Sequence, residues 1–474
     1  MTSAIWFRND LRVLDNPALI SACKAEGNVY GFYFYTEDQF KQHGLGATKL
    51  RFILESVAAL SEQLEQLNIP LIAVHCSDFD ESIEKLLELC EKCSVKDVFA
   101  NMEVELNESV RDKKAHKELS QRDITLSVRN GQTLLSPGQV LTEKEEPYKV
   151  FTAFKRQWLK RINDQSTKPL PAPKKRKKKP CKGTATTTLL SWQQTQPSNE
   201  HWTAGSSQAY DNLDQFIEQQ IDLYKEKRDY PAIGATSQLS PYLAVGSISV
   251  RACIHNALIA NQGQWDSGSQ GIQTWLSELI WREFYKHLTA LTPDLCKGVS
   301  MQPKTRHLPW SHDSKLLTRW QQGETGYPIV DAGMRQLNTL GWMHNRLRMV
   351  TAMFLTKHLF IDWRLGEAYF LEKLIDGDYS LNNGGWQWSA STGADAAPYF
   401  RIFNPTRQSE RFDPDGEFIR QWVPELASIK DKSIHNPSAK QRKQTDYATP
   451  LVEHKTATEK TKQIFKEYSS GEPA

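Results

Sequence analysis

Short β-rich runs alternate with helical ones from residue 1 to about 130. Residues 4–7, 29–35, 71–76, 97–100 and 125–128 are the predicted strands. Between them Leu50, Ile53, Leu54, Val57, Leu60, Leu64 and Leu67 recur at steps of three and four, which marks an amphipathic helix. Ile83, Leu86, Leu87 and Cys90 repeat that spacing, with Asp80 as the predicted N-cap. Strand and helix in alternation predict a five-stranded parallel, doubly wound sheet covered by helices. No GxGxxG follows the first strand, so a nicotinamide dinucleotide site is not indicated. Ligands of such sheets bind beyond the carboxyl ends of the strands, here the loop 8–16 and the loop after Ala100.

The pattern then changes. Over 131–205, Pro169, Pro171, Pro173 and Pro180 surround six consecutive basic residues at 174–179, and Thr184, Thr186, Thr187 and Thr188 follow. That composition buries little apolar surface and predicts a surface linker. Its basic run is open to three readings: a solvated face, a contact with DNA phosphates, or an address signal. The stretch 147–154, PYKVFTAF, is apolar enough to dock on a domain as the linker starts. Beyond 206 the periodicity is overwhelmingly helical, and eleven of the fourteen tryptophans follow residue 200. The chain is therefore expected to divide into an α/β domain at 1–130, a linker at 131–205 and a large all-α domain at 206–474 that carries the chemistry.

Composition narrows the class. Hydrophobic residues at 39% and charged residues at 24% are those of an ordinary globular protein. There is no apolar run of about eighteen residues to span a membrane. The N-terminus does not read as a signal peptide, so the cytosol is the expected compartment. Seven scattered cysteines make no disulfide framework, and Cys90 and Cys93 fall inside a helical pattern without a second pair, so no metal is expected. The net charge of +3 rests on the run at 174–179, since without it 53 basic residues face 56 acidic ones. A nucleic-acid surface on the folded part must then be a local patch.

Three constellations carry candidate chemistry. In TWLSELIWREFYKHL, residues 274–288, Trp275, Glu278, Trp281, Arg282 and Tyr285 share one arc of a helix. A core face edged by a salt bridge is one reading, and a surface for stacking planar bases is the other. Residues 235–243 place small hydroxyl side chains before an apolar periodic run, as at a helix N-terminus that either takes a phosphate or is simply capped. The stretch 341–411 is dense in tryptophan, asparagine, glycine and arginine. Its Asn382-Asn383 and Gly384-Gly385 pairs suit neither a plain helix nor a plain strand. Asn345, Arg348 and Met349 share a helical face there, while Asp376, Asp378 and Asn382 are expected around a glycine-containing turn. No third ligand completes a metal site. Local chemistry reaches a flavin- or nucleotide-like ligand, or nucleic acid, and stops.

Longer motifs go further. WFRNDLRVLDN at 6–16, TSQLSPYLAVGSIS at 236–249, WLSELIWREFY at 275–285, GETGYPIVDAGMRQLNTLGWMHNRLRM at 323–349 and DGDYSLNNGGWQWSASTGADAAPYFRIFNP at 376–405 closely resemble the photolyase and cryptochrome family. Within it the nearest pattern is that of bacterial class I cyclobutane pyrimidine dimer photolyases. The resemblance implies an antenna-binding α/β domain and a helical domain holding FAD at Tyr224, Thr236, Ser237, Leu239, Ser240, Trp275, Glu278, Arg282, Asn345, Arg348, Asp376, Asp378 and Asn382. Asn382 would face flavin N5. It implies light-driven electron donation from reduced, anionic FAD to a dimer flipped out of UV-damaged DNA, photolyases being established examples of base-flipping enzymes. Trp281, Trp388 and Met349 would hold that dimer, and Glu278 and Asn345 would hydrogen-bond its edges. A protonated Glu278 would stabilise the electron-bearing lesion. Arg228, Trp281, Arg346, Arg401 and Gln408 would contact DNA, and Trp310, Trp363 and Trp386 would relay electrons. His43, Asn107, Glu108, Cys296 and Lys297 match positions used for a 5,10-methenyltetrahydrofolate antenna. A monomer is expected.

Two other functions share the motifs. One is a cryptochrome photoreceptor, against which stands the short stretch after the last motif. The other is repair of (6-4) photoproducts, a chemistry associated with pocket histidines; His344 is present, yet WMHNRLRM resembles the dimer-repair subclass.

Overall fold

The computed structural model describes residues 2–24, 26–162, 167–192 and 201–469. Five parallel strands form one sheet in the order β3-β2-β1-β4-β5: β1 Thr2–Phe7, β2 Val29–Thr36, β3 Leu71–Cys76, β4 Val95–Asn101 and β5 Thr125–Arg129. β2 is buried along its whole length, as a strand covered on both faces must be. Helices Pro17–Cys23, Ala47–Gln66, Phe79–Lys92 and Leu106–Ser120 cover the sheet. Leu54, Val57, Leu60 and Leu64, all on the predicted stripe, are fully buried. The Phe79–Lys92 helix is capped by Asp78, which accepts from Glu81 N, and the predicted cap Asp80 lies in the first turn.

Two compact units make up the chain. One comprises Met1–Asp222, Ser237–Pro293 and Ile375–Asp378, and the other Leu223–Thr236, Asp294–Leu374 and Tyr379–Ala474. The sequence boundaries at 130 and 205 both fall inside the first unit.

The stretch expected to be a solvated linker is largely ordered among its described residues; 163–166 and 193–200 lie outside them. Phe151–Ile162 is a helix, and as expected for 147–154 its Phe154 packs against Phe284 at 5.3 Å and His287 at 5.2 Å. Farther on, Thr184 N donates to Leu71 O at 2.8 Å and Ala73 N donates to Thr184 Oγ1 at 2.9 Å. Since β3 is an edge strand, the segment occupies backbone groups that would otherwise stand unpaired there. Hydrogen bonds to the sheet edge and the burial of Phe154, Trp158 and Leu189 together order it, which composition does not reveal.

The second unit is helical around a core that includes Trp320, Trp363, Phe354, Phe370 and Trp386. The predicted non-helical stretch at 382–385 is in fact inside the Tyr379–Ala390 helix. Side-chain bonds offset the poor propensity: Asn383 Nδ2 donates to Glu367 Oε1 at 2.8 Å, and Gln387 Nε2, one turn on, donates to Asn383 Oδ1 at 3.0 Å. Asn382 is thus a helical residue and not part of a turn. No described helix is long and apolar enough to cross a membrane.

Candidate active site

In the first unit, the Gln270–Leu291 helix starts at Ser269, which caps it. Its predicted arc divides in two. Trp275 and Arg282 are buried, whereas Glu278, Trp281 and Tyr285 form a half-exposed edge. Trp275 meets Phe216 at 5.2 Å, and Arg282 Nη1 donates to Gln132 O at 2.6 Å. Trp281 lies flat on Phe151, with centroids 3.6 Å apart and planes 7° apart. The indole is thereby stiffened by a ring from the segment that docks at 147–154. Glu283, next along the helix, accepts from Leu134 N at 2.8 Å, from Leu135 N and from Trp158 Nε1, and so fixes the loop that carries Gln132. Burial pushes the Glu283 carboxyl up to about 7.

One turn beyond Arg282, Lys286 is buried and bridges two carboxylates, Glu105 at 2.8 Å and Asp378 at 2.9 Å. Lys49, also buried, donates to Gly377 O. Burial alone would raise the Asp378 carboxyl, but Lys286, Arg282 and Lys49 outweigh it and hold it below its ordinary value. A charged, hydrogen-bonded enclosure of this kind suits ribose hydroxyls or phosphates better than an apolar group. Ser237, Leu239 and Ser240 stand at the start of the Ser240–Val245 helix, which no side chain caps.

His43, Asn107 and Glu108 come together in this unit. Asn107 Nδ2 lies 3.0 Å from His43 Nε2, Gln39 Nε2 2.9 Å from the same nitrogen, and Glu108 Oε1 3.5 Å from His43 Nδ1. Burial, reinforced by Glu105 and Glu103, pushes the Glu108 carboxyl up to about 8. Beyond the ends of β1 and β4, where sheet topology directs a ligand, a cavity is lined by Trp6, Arg8, Tyr33, Glu103, Glu108 and Arg111. Arg8 and Arg111, both on its lining, lie 4.9 Å from the Trp6 ring. The loop 8–16 is otherwise engaged in holding the fold: Arg12 donates to the carbonyls of Asp15, Gly246 and Gly131.

In the second unit, Asn345 is exposed, and Met349 and Trp388 are half-buried. His344 caps the Asn345–Met353 helix, its Nδ1 accepting from Arg346 N at 3.2 Å. Burial lowers the His344 ring to about 4, so it is neutral at ordinary pH and serves as a cap. Arg348 Nε donates to Met343 O at 2.8 Å. Asp229 lies 2.8 Å from Arg346 and 3.9 Å from Arg228, so one carboxylate already answers two candidate DNA contacts. Tyr224 lies under Arg228 at 5.3 Å. Thr236 is half-buried, Arg401 exposed and Gln408 half-buried, with Gln408 Oε1 enclosed and unpartnered among the described residues. Cys296 is half-buried, and Lys297 pairs with Asp294 at 2.9 Å.

Asn382 Nδ2 donates to Glu367 O at 2.9 Å, which leaves the amide carbonyl as the open end, an acceptor. A reduced flavin carries an N–H at N5, so the side chain fits that ring. Trp386 crosses the Trp363–Lys373 helix at Gly366, where an added Cβ would lie 2.2 Å from Trp386 Cη2. Ser311, next to Trp310, bridges to Ile361, and Trp310 stacks on Phe360 at 4.7 Å. The three tryptophans thus attach to one continuous segment, 360–366. Trp386 also meets Trp320 edge-on at 6.0 Å.

Lys49, Lys286, Glu105, Phe151, Glu367 and Trp320 escape the sequence reading. Of these Phe151 carries a local signal as part of the apolar stretch 147–154, and Lys286 follows Arg282 by four residues on the same helix.

A five-stranded parallel sheet covered by helices and a tryptophan-rich helical unit define the class, that of α/β-plus-helical proteins. Residues 275–467 match the FAD binding domain of DNA photolyase, and residues 3–174 match DNA photolyase. The deoxyribodipyrimidine photo-lyase of Salmonella typhimurium is 46% identical over 460 residues, covering 96% of each chain. That of Escherichia coli is 44% identical, covering 97% of each. A crystal structure of a bacterial class III photolyase from Agrobacterium tumefaciens superposes with a TM-score of 0.89 at 35% identity, over 99% of this chain and 98% of the other. The chain belongs to the DNA photolyase family.

Proposed function

We propose that this protein is a light-dependent DNA repair enzyme that splits cyclobutane pyrimidine dimers. The observation that carries this reading is the half-exposed edge of Glu278, Trp281 and Tyr285, its indole made rigid by Phe151 at 3.6 Å. An aromatic plane beside a carboxyl is what an unstacked pyrimidine needs, a π-face to lie on and a group to hydrogen-bond its edge. When bound, FAD in its reduced, anionic form supplies the photoexcited electron, and the electron returns once the cyclobutane ring has opened.

The chain's own residues bind and orient. Asn382 offers its carbonyl to flavin N5. Arg282, Asp376, Asp378 and Arg348 serve the flavin's polar groups, with Lys286 and Lys49 holding Asp378 ionised. Tyr224, Thr236, Ser237, Leu239, Ser240 and Trp275 complete that set. Trp281, Trp388 and Met349 hold the flipped lesion, and Glu278 and Asn345 bond its edges. Arg228, Arg346, Arg401 and Gln408 serve the strand. Trp310, Trp363 and Trp386 bring electrons to an oxidised flavin. His43, Asn107, Glu108, Cys296 and Lys297 serve a reduced-folate antenna. The protein acts as a monomer in the cytoplasm. The WMHNRLRM pattern around His344 resembles the dimer-repair subclass, which disfavours (6-4) repair.

Binding in the dark tests the pocket apart from the photochemistry. Oligonucleotides with one dimer should bind at least about a hundredfold tighter than undamaged ones of the same sequence. Equal affinities would reject a pocket for the flipped lesion.

A further inference from the structure

The basic run at 174–179 plays no part in the site above. Its two inner anchors are engaged. Arg176 N donates to Leu67 O at 2.9 Å, Arg176 Nη1 to Cys23 O at 3.0 Å and Nη2 to Gly27 O at 2.7 Å, while Asn68 Nδ2 donates to Arg176 O at 2.6 Å. Lys179 pairs with Glu65. Lys174, Lys175, Lys177 and Lys178 are exposed, and none of them has an ion-pair partner among the described residues. Thr184 and Gly183 fasten the same segment to β3 a few residues farther on. At Gly183 an added Cβ would lie 2.9 Å from Leu71 O, so the approach is backbone to backbone.

From this arrangement we infer that residues 174–179 form a preordered strap that contacts the phosphates of duplex DNA outside the lesion. A solvated face does not require its central arginine to satisfy three backbone carbonyls and accept an amide bond in return. An address peptide must offer its backbone and successive side chains to a receptor, and here Arg176 has given up both. What remains presented is a row of four ammonium groups at fixed positions, whose ordering entropy is already spent in the free protein. The rest of the chain is net negative, 53 basic against 56 acidic residues, and the strap is a local excess of positive charge against that balance. Flexible ammonium groups without a planar fork suit a point-charge contact with phosphate and carry no sequence preference. The choice of DNA over another polyanion rests on the repair function proposed above.

The test replaces Lys174, Lys175, Lys177 and Lys178 together by serine, and by arginine in a second variant, in the FAD-loaded protein. Binding to an undamaged duplex of about forty base pairs is followed across salt concentrations. Each phosphate that is no longer neutralised removes about 0.9 from the slope of log affinity against log salt. The serine variant should therefore show a slope smaller by about two to three and bind more weakly at low salt, and the arginine variant should match the native protein. Photorepair of a dimer at saturating DNA should be unchanged. Salt slopes equal to native in the serine variant would overturn the strap. Displacement of polyglutamate from the native protein but not from the serine variant, with DNA slopes equal, would assign the strap to an acidic polypeptide and equally overturn it. Absence of photorepair in the native protein would instead count against the repair function, leaving the strap's salt dependence readable by itself.

Discussion

Glu278 and Glu108 are both carboxyls near other charges, and their surroundings ask different things of them. Glu278 stands on a half-exposed helix edge one turn from Trp281, where a lesion that gains an electron would need a hydrogen-bond donor or a compensating dipole. Glu278→Gln keeps shape and hydrogen bonding but cannot transfer a proton. It should bind dimer-bearing DNA as the native protein does while the repair yield per absorbed photon drops about two- to tenfold; an unchanged yield would remove the role. Glu108 is held protonated up to about pH 8 by burial with Glu105 and Glu103, against the pull of Arg111. A pterin edge presents N–H donors, from which the carboxylate accepts more strongly, and at both oxygens, than the protonated acid does. Binding therefore releases a proton below about pH 8, and affinity should rise up to about tenfold per pH unit from about 6.5 to about 8 and then level off. Titration with 5-formyltetrahydrofolate, which keeps that edge, measures this directly. A flat profile would take Glu108 out of the antenna site. The surroundings of Lys49 and Lys286 were not legible in the sequence. A lysine in a helical pattern reads as a solvent-facing residue, and the partner of Lys49, Gly377, is 328 positions away.

Among the elements, the five strands were legible to within one or two residues because each is a compact β-rich run flanked by charge or a helix start. The Tyr379–Ala390 helix was not. Asn-Asn-Gly-Gly argues against a helix on propensity, and what overrides it is tertiary: Glu367 on the neighbouring helix receives both asparagines, one on its carbonyl and one on its carboxyl. Gly366 completes that close approach. Gly366→Ala would drive a methyl into Trp386 and should cost about 1–3 kcal/mol in chemical unfolding. It should also slow photoreduction of the oxidised protein, by shifting Trp386 away from Trp363, while leaving repair by chemically reduced protein near native. Native photoreduction with the expected destabilisation would detach the tryptophans from electron delivery. The segment after Ile162 teaches the converse lesson. Its composition reads as unstructured, and it is ordered by hydrogen bonds to a sheet edge and by the burial of Leu189, which no local pattern announces.

At the scale of the whole molecule, the family was legible because its motifs are long and spread over most of the chain. The partners that fix individual residues were not, since Asp378 meets Lys286 and Lys49, both distant in sequence, only through the fold. Nothing in the charge total marks a DNA-binding protein either, because outside the run at 174–179 basic and acidic residues nearly balance, 53 against 56. Photorepair joins all of these parts in one readout. Reduced, FAD-loaded protein should be given oligonucleotides bearing either one cyclobutane thymine dimer or one (6-4) photoproduct, with and without near-ultraviolet or blue light. The repair account predicts intact thymines from the dimer substrate in the light only, and no change in the (6-4) substrate. Dimers left intact in the light, by protein that is loaded and reduced, would contradict it.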